Sequence, residues 1–423
     1  MMMDLKGKPL PNKWIVLSLL LGIAVFNHAD RFLLAGLVEP IKAEFGLSDG
    51  FMGLLMGPAF AVFYSTLAIP IAIMADRHSR IRIIIAGCVI WSIFTILCGF
   101  ADGPTSLAFY RVGVGVGEAA FQAPAFSLVA AYFPAEQRGK AFAVIALSVY
   151  FGQMLGYSAG PAIAEVESWR FAFILFGAVG LAIIAVAWLV IREPARTEPL
   201  TVRLPFIPLA KRLLKLASYR SMMFGMGLGV LSGIAFGYWG PALFSRNYNM
   251  TITEAGSAFG SAFVLPGMIG AILFGIVSDK LIKAGYGRML LLAAISLTGA
   301  TLAVLGAVWA GSLNNALLWA IPAGILGGGW AVGIQAGLQY ILPDRMRATG
   351  TAVALLTVNL LGYVVGPWLT GGLSNFFGEG ATGLQMSLSV VVPMGLIGAF
   401  LLWRGSLKLD EDRKTLHAGE VQN

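Results

Sequence analysis

YRVGVGVGEAAFQAP, residues 110–124, decides how the rest of this 423-residue chain is read. It sets Arg111 and Glu118 inside a run that otherwise reads as a membrane-spanning helix. A second stretch, NHADR at 27–31, does the same with Asp30 and Arg31. A charge at the bilayer centre costs at least about 2.5 kcal/mol, so such groups face a bundle interior or a watered cavity and are functional candidates by default. Two acids and two bases sum to zero. The four together point to a proton and substrate site, with the remaining chain as the machinery that exposes it to either side of a membrane.

Hydrophobic residues make up 58% of the chain and charged residues 12%, where a soluble domain carries roughly 25% charged residues. That excludes two or three soluble domains and specifies a polytopic membrane protein. Lys6, Lys8 and Lys13 followed by WIVLSLLLGIAVF imitate a secretory signal. No small-residue cleavage site follows, and the apolar pattern continues past Asp30 to about Val38, so the stretch reads as an uncleaved first helix. Cys88 and Cys98 lie in one apolar segment and read as small core residues, unsuited to a disulfide framework or a metal site. His28, His78 and His417 are too scattered for a metal cluster, and no P-loop or dinucleotide fingerprint occurs. No cofactor, no metal and no ATP hydrolysis within this chain are expected. With no nucleophile and base pair in a plausible site, neither is an enzyme.

Apolar segments of spanning length fall at roughly 14–38, 50–75, 82–101, 105–132, 140–164, 169–191, 219–245, 254–278, 289–310, 315–341, 349–373 and 381–403. Twelve spans put both termini on one side. Lys and Arg crowd the N-terminus, the C-terminal tail and the loops after even-numbered spans, whereas the opposite loops hold only Lys42, Arg170 and Arg246. By the positive-inside rule both termini are cytoplasmic, and the net charge of +8 is mostly topology rather than a nucleic-acid footprint. The compact loops and short termini suggest a bacterial inner membrane.

The longest polar interruption, Arg192 to Arg220, divides six spans from six. This gives an N-terminal bundle over 1–191, a basic linker over 192–218, a C-terminal bundle over 219–404 and a tail over 405–423. Within the linker FIPLAKRLLKLASYR has helical apolar spacing among Lys211, Arg212 and Lys215. Either it lies as an amphipathic helix on the inner leaflet or it is a solvated linker. Internal repetition supports the division. Asp76 in AIMADR is answered by Asp279 in GIVSDK, PAEQR at 134–138 by PDRMR at 343–347, and Gly160-Pro161 by Gly366-Pro367. Each Gly-Pro pair caps a ladder of small residues, Gly152, Gly156 and Gly160 in one half and Gly362 and Gly366 in the other. Two duplicated halves suit a transporter that rocks about a central site, and a channel needs no such pair of rigid bodies.

These marks resemble the major facilitator superfamily over essentially the whole length, which implies an all-α fold of twelve spans in two pseudo-symmetric six-helix bundles. AIMADRHSRI at 72–81 is similar to that family's signature G-x-x-x-D-R-x-G-R-[RK], keeping Asp76, Arg77 and Arg80 but replacing both glycines, with Ala72 and Ser79. The resemblance implies a cytoplasmic latch from Asp76, Arg77 and Arg80, joined by Arg138, Asp279 and Arg347. RVGVG at 111–115 resembles the R-x-x-x-G element of the fourth helix, and GYSAGP at 156–161 the G-x-x-x-G-P of the fifth. The stretches 30–55 and 111–134 are similar to the Spinster family, whose eukaryotic members move sphingosine 1-phosphate and lysophospholipids. The DR of the first helix and R-x-x-x-G-x-G-E of the fourth also resemble the organic anion:proton symporters of sugar acids and sialic acid. The length of the match at 30–55 favours Spinster.

Arg111 and Glu118 stand two turns apart, roughly 10 Å, on one helix face. Gly113, Gly115 and Gly117 between them admit close helix approach. Asp30 and Arg31 diverge by about 100° and can engage different partners. A crossed arrangement, Asp30 with Arg111 and Arg31 with Glu118, would satisfy all four. Protonating Asp30, or second to it Glu118, would free an arginine for a carboxylate or phosphate. The other reading is a buried ion network that only orients the first and fourth helices.

Further candidate contacts in the first half are Asn27, His28, Tyr64, Gln122, Tyr150 and Gln153, and in the second Tyr238, Trp239, Trp330, Gln335, Gln339, Asn359 and Tyr363. One polar wall and one aromatic wall suit an amphiphile with an anionic head. Three functions follow: a proton-coupled carrier of a lysolipid or similar anion, a symporter of a small organic acid, and a transport-dead sensor or scaffold. Expected partners are the bilayer, protons and a small anionic or amphiphilic substrate, with no nucleic acid and a monomer as the unit.

Overall fold

The computed structural model describes residues 9–195, 206–282 and 285–421. Lys6, Lys8, Arg196, Arg203 and Lys283, which enter the charge asymmetry, lie outside the described residues. Among those described, twelve helices are long and apolar enough to cross a membrane. In chain order these spans 1 to 12 are Lys13–Gly36, Asp49–Arg77, Arg80–Gly99, Pro104–Tyr132, Ala135–Val166, Trp169–Val190, Ala217–Tyr248, Ile252–Leu281, Tyr286–Val308, Leu313–Ile341, Thr349–Phe376 and Gly380–Leu416. No strand occurs among the described residues, so the fold is all-α.

Contacts divide the chain into two compact units, one of Met1–Leu47, Leu54–Thr201 and Thr251–Ser257, the other of Ser48–Gly53, Val202–Met250 and Ala258–Asn423. The tips of spans 2 and 8 thus belong to the unit opposite to the one their sequence position suggests.

In the first unit the cap residues are those the chemistry asks for. Asn12 accepts from Trp14 N–H at the start of span 1, Ser79 from Arg82 N–H at span 3, and Ser168 from Phe171 N–H at span 6. The glycine ladder of span 4 explains how its neighbours come close. A methyl group at Gly115 would strike the Phe60 carbonyl of span 2, and one at Gly117 the Trp91 backbone of span 3. Span 4 then breaks. Helix ends at Glu118 and resumes at Gln122, because Pro124 has no N–H for the Ala120 carbonyl and crowds it. Span 5 carries a π-helical turn at Leu155–Ala159 immediately before Gly160-Pro161, and its Gly156 packs against the Ala29 carbonyl and Phe32 of span 1. At the far end of span 1, Glu44 accepts from Trp169 Nε1 at 2.6 Å and Arg170 Nη2 at 2.5 Å. Burial works against that charge, but the two donors outweigh it and hold the Glu44 carboxyl below the usual range.

The second unit repeats the device in span 11, where a π-helical turn at Leu360–Val365 precedes Gly366-Pro367. Its best-anchored segment is the tip Ser48–Gly53. Asp49, wholly buried, takes both Arg246 Nη groups at 2.7 and 2.8 Å and the Ser374 hydroxyl at 2.6 Å. The helix Phe206–Leu213 exists, but its apolar stripe is turned onto protein rather than lipid: Leu209 and Leu213 are buried in one core with Met222, Trp330, Leu409 and Leu416. The last two explain why span 12 runs beyond the predicted 381–403. Its extension is amphipathic and docks, and Asp412 caps span 7 by accepting from the Ser218 N–H and hydroxyl at 2.7 and 2.6 Å.

Gly156→Ala is expected to destabilise by about 1–3 kcal/mol, since the added methyl would sit 2.8 Å from the Ala29 carbonyl oxygen and Phe32 backbone. Gly139→Ala, with nothing within 4 Å of the new carbon, is the control that should leave the thermal midpoint at or above the wild type.

Candidate functional site

The four buried charges all fall in the first unit, each no more than 4% exposed. Arg31 Nε donates to Glu118 Oε2 at 2.6 Å and Arg31 Nη2 to Asn27 Oδ1, one turn earlier on span 1, at 3.2 Å. The same guanidinium lies over the Tyr64 ring at 4.2 Å and the Phe60 ring at 5.1 Å, two rings stacked 5.5 Å apart on span 2. A cation over an aromatic face recovers part of the solvation it has lost, on the order of 0.5–2 kcal/mol. Glu118 is the last residue before the break in span 4, which turns the chain where the ion pair forms.

Only that half of the crossed arrangement is formed. Asp30 is not hydrogen-bonded to Arg111; its Oδ2 accepts instead from the Thr95 hydroxyl of span 3 at 2.9 Å. The reason is angular: Asp30 leaves span 1 about 100° from Arg31 and meets span 3, while the Arg111 guanidinium lies 5.2 Å over Phe60 of span 2. Arg111 Nε and Nη2, Asp30 Oδ1, Glu118 Oε1 and Asn27 Nδ2 are buried with no hydrogen-bond partner. Three unfilled donors and two unfilled carboxylate oxygens in one buried cluster are an unusual density, since buried polar groups are ordinarily paired. The open hydrogen-bonding capacity lies on two N–H groups of Arg111 and one carboxylate oxygen each of Asp30 and Glu118.

The other expected contacts divide. Tyr64 donates its hydroxyl to Gln122 Oε1 at 3.1 Å, and Gln122 is exposed just past the span 4 break. His28 lies on the face of span 1 that meets Gly152 of span 5, and Tyr150 and Gln153 are half-buried on span 5. In the second unit Trp239 corrects the expectation of a ligand contact. It is wholly buried and donates to the Pro367 carbonyl at 3.1 Å, because an indole N–H at helix–helix contact closes on the nearest backbone acceptor. Tyr238 is equally buried, and Trp330 packs in the core beside Met226 and Leu297. Gln335, Asn359 and Tyr363 remain half-buried, and Gln339, exposed, donates to Thr351 at 3.3 Å.

Of the latch residues Arg80 is engaged inside the first unit. Its Nε meets Glu193 Oε1 at 2.7 Å, and the Ser79 hydroxyl and Ile81 N–H converge on Oε2 of the same carboxylate. Arg138 Nε closes on the Phe133 carbonyl at 3.1 Å. Asp76 is half-buried, and Arg77, Asp279 and Arg347 are exposed. Sequence reasoning missed Glu193, whose signal was an acid at the start of the basic stretch after span 6. It also missed Thr95 and Phe60, which carried none.

Twelve membrane-spanning helices, with an ion cluster buried in the first unit, are the marks of a membrane transporter, and residues 20–360 match the Major Facilitator Superfamily, to which this chain belongs. Within it the chain resembles Spinster. It is 27% identical to Protein spinster of Drosophila melanogaster over 86% of this chain and 62% of that one, and 30% identical to an MFS-type efflux pump of Mycolicibacterium smegmatis over 94% of each. It superposes on a bacterial homologue of the human lysosomal transporter Spinster, in an inward-facing and unoccupied conformation. The TM-score is 0.83 at 27% identity, over 95% of this chain and 98% of that one.

Removing one member of the ion pair should be worse than removing both. Arg31→Leu leaves Glu118 buried and uncompensated, at an expected cost of about 3–5 kcal/mol. Arg31→Leu with Glu118→Leu should recover most of the loss in thermal midpoint, and a double variant as unstable as the single one would show that the pair is not what holds spans 1 and 4.

Proposed function

We propose that this chain is a proton-coupled secondary active transporter of an amphiphilic anion of the lysolipid or sphingolipid kind, working by alternating access. The observation that carries the reading is the buried Arg111 guanidinium with Nε and Nη2 unpartnered, beside an Asp30 carboxylate with Oδ1 unpartnered. Two adjacent guanidinium N–H groups match the two oxygens of a carboxylate or phosphate. Protonating Asp30 takes the neutral cluster to +1, and the bound anion returns it to zero. A proton moving down a gradient of one pH unit supplies about 1.4 kcal/mol, which is tenfold accumulation of cargo.

The lipid-like cargo is supported by the kinship with proteins named spinster and by the aromatic faces of Phe60 and Tyr64 beside Arg111 and Arg31. Glu118, already engaged by Arg31, is the second proton candidate. The basic loops orient both termini to the cytoplasm by the positive-inside rule.

Asp30→Asn, reconstituted in proteoliposomes, is expected to abolish uptake driven by a pH gradient while retaining exchange; normal proton-driven rates would remove Asp30 from the role. Cargo is tested by thermal shift of the purified protein, because a ligand stabilises by RT ln(1 + [L]/Kd). A lysophospholipid should raise the melting midpoint in the wild type and not in Arg111→Ala. A shift with glucuronate and none with the lysophospholipid would replace the lipid reading by that of a small-acid symporter.

A further inference from the structure

Thr95 directs its hydroxyl differently from other threonines of the spans. A helical threonine often donates to the carbonyl four residues back, and Thr66, Thr298, Thr301, Thr357, Thr370 and Thr415 all do so, at 2.8–3.2 Å. Thr95 donates across to Asp30 Oδ2 on span 1 at 2.9 Å, with both residues 1% exposed. Trp91, four residues before it, and Cys98, three after it, lie on the same face of span 3; Trp91 acts on the same carboxylate, and Cys98 feels its charge. The charged groups opposite are Arg111 and Glu118 of span 4. Span 5 presents Gly152 and Gly156 to this part of span 1, and span 1 itself adds Arg31 and His28.

We propose that Thr95 is the positioning residue of the proton carrier: by holding Asp30 Oδ2 against span 3, it keeps the carboxylate off the Arg111 guanidinium, so that Arg111 stays open to an anion while Asp30 Oδ1 stays open to a proton. This rests on the reading of Asp30 as the proton carrier. Without the hydroxyl, Asp30 keeps the Trp91 indole on its own face of span 3 and meets Arg111 as the cationic donor opposite, and the two sites would close on each other. The bond also favours the charged form, since a donor to a carboxylate binds it roughly twice as strongly as it binds the neutral acid. Its loss therefore moves proton binding at Asp30 to higher pH, unless Arg111 takes the vacated carboxylate, in which case proton binding moves to lower pH. Either way the midpoint departs from the wild type when the hydroxyl goes and stays when it is kept.

The test is infrared difference spectroscopy of the purified full-length protein in lipid nanodiscs, titrated with pH and read at the carbonyl stretch of a protonated carboxylic acid. Asp30→Asn identifies the band by abolishing it. Thr95→Val, which keeps the shape and removes the hydroxyl, should displace the band's midpoint by about one pH unit, with a changed stretching frequency. Thr95→Ala should displace it in the same direction, which guards against a packing effect peculiar to valine. Thr95→Ser, which keeps the hydroxyl, should titrate as the wild type. Wild-type midpoints in both Thr95→Val and Thr95→Ala would overturn the proposal, as would a Thr95→Ser displacement as large as that of Thr95→Val. A band unchanged in Asp30→Asn would instead overturn the proton-carrier reading beneath it, a failure distinguishable from the other two.

Discussion

Inside a bilayer a charge has no water to fall back on, and the Arg31–Glu118 ion pair is the contact by which the first unit answers that constraint. Its 2.6 Å separation requires spans 1 and 4 to stand at a fixed height relative to each other, and the features around it follow. Gly115 and Gly117 let spans 2 and 3 close on span 4, bringing the Phe60 and Tyr64 rings beneath Arg31. Pro124 breaks span 4 just beyond Glu118, so the acid sits at a helix end rather than in an unbroken cylinder. The four charges end no more than 4% exposed, and in a medium of lower dielectric constant an ion pair is held more tightly.

The two arginines are treated unequally. Arg31 has a carboxylate, an amide oxygen and two ring faces, whereas Arg111 has the Phe60 ring alone and two N–H groups without hydrogen bonds. Evenly shared partners would leave a static network whose task ends with orienting two helices. Uneven sharing leaves two N–H groups of one residue, Arg111, unmet side by side, and such a pair is what a ligand must complete for binding to offset its own desolvation.

What could be read from residues was what periodicity and charge dictate. The apolar runs located twelve spans, since hydrocarbon thickness fixes their length, and the seven-residue spacing of Arg111 and Glu118 put both on one face. Ends were less legible: span 12 continues to Leu416 because Leu409, Asp412 and Leu416 pack against protein, and a hydropathy pattern sees lipid rather than neighbours. The partner of Asp30 was illegible for a different reason. An oxygen of a helical threonine ordinarily returns to its own backbone, so nothing in the stretch around Thr95 marks it as a donor to another helix. Trp239 failed in the opposite direction, since an aromatic in a spanning segment reads equally well as cargo contact or as packing, and only the Pro367 carbonyl separates the two.

In the proposed scheme the quartet's zero sum is what couples the two passengers. An anion alone would leave the buried cluster at −1 and a proton alone at +1, each disfavoured by desolvation, while the two together restore neutrality. Each therefore raises the affinity for the other by the same factor, as linkage requires. Within that scheme the two acids are not equivalent. Protonating Glu118 would strand Arg31 by neutralising the carboxylate it holds at 2.6 Å, whereas protonating Asp30 at Oδ1 disturbs no ion pair and leaves the Thr95 bond at Oδ2 in place. The lower-cost site is Asp30, and it stays so only while the hydroxyl of span 3 keeps that carboxylate from becoming Arg111's partner.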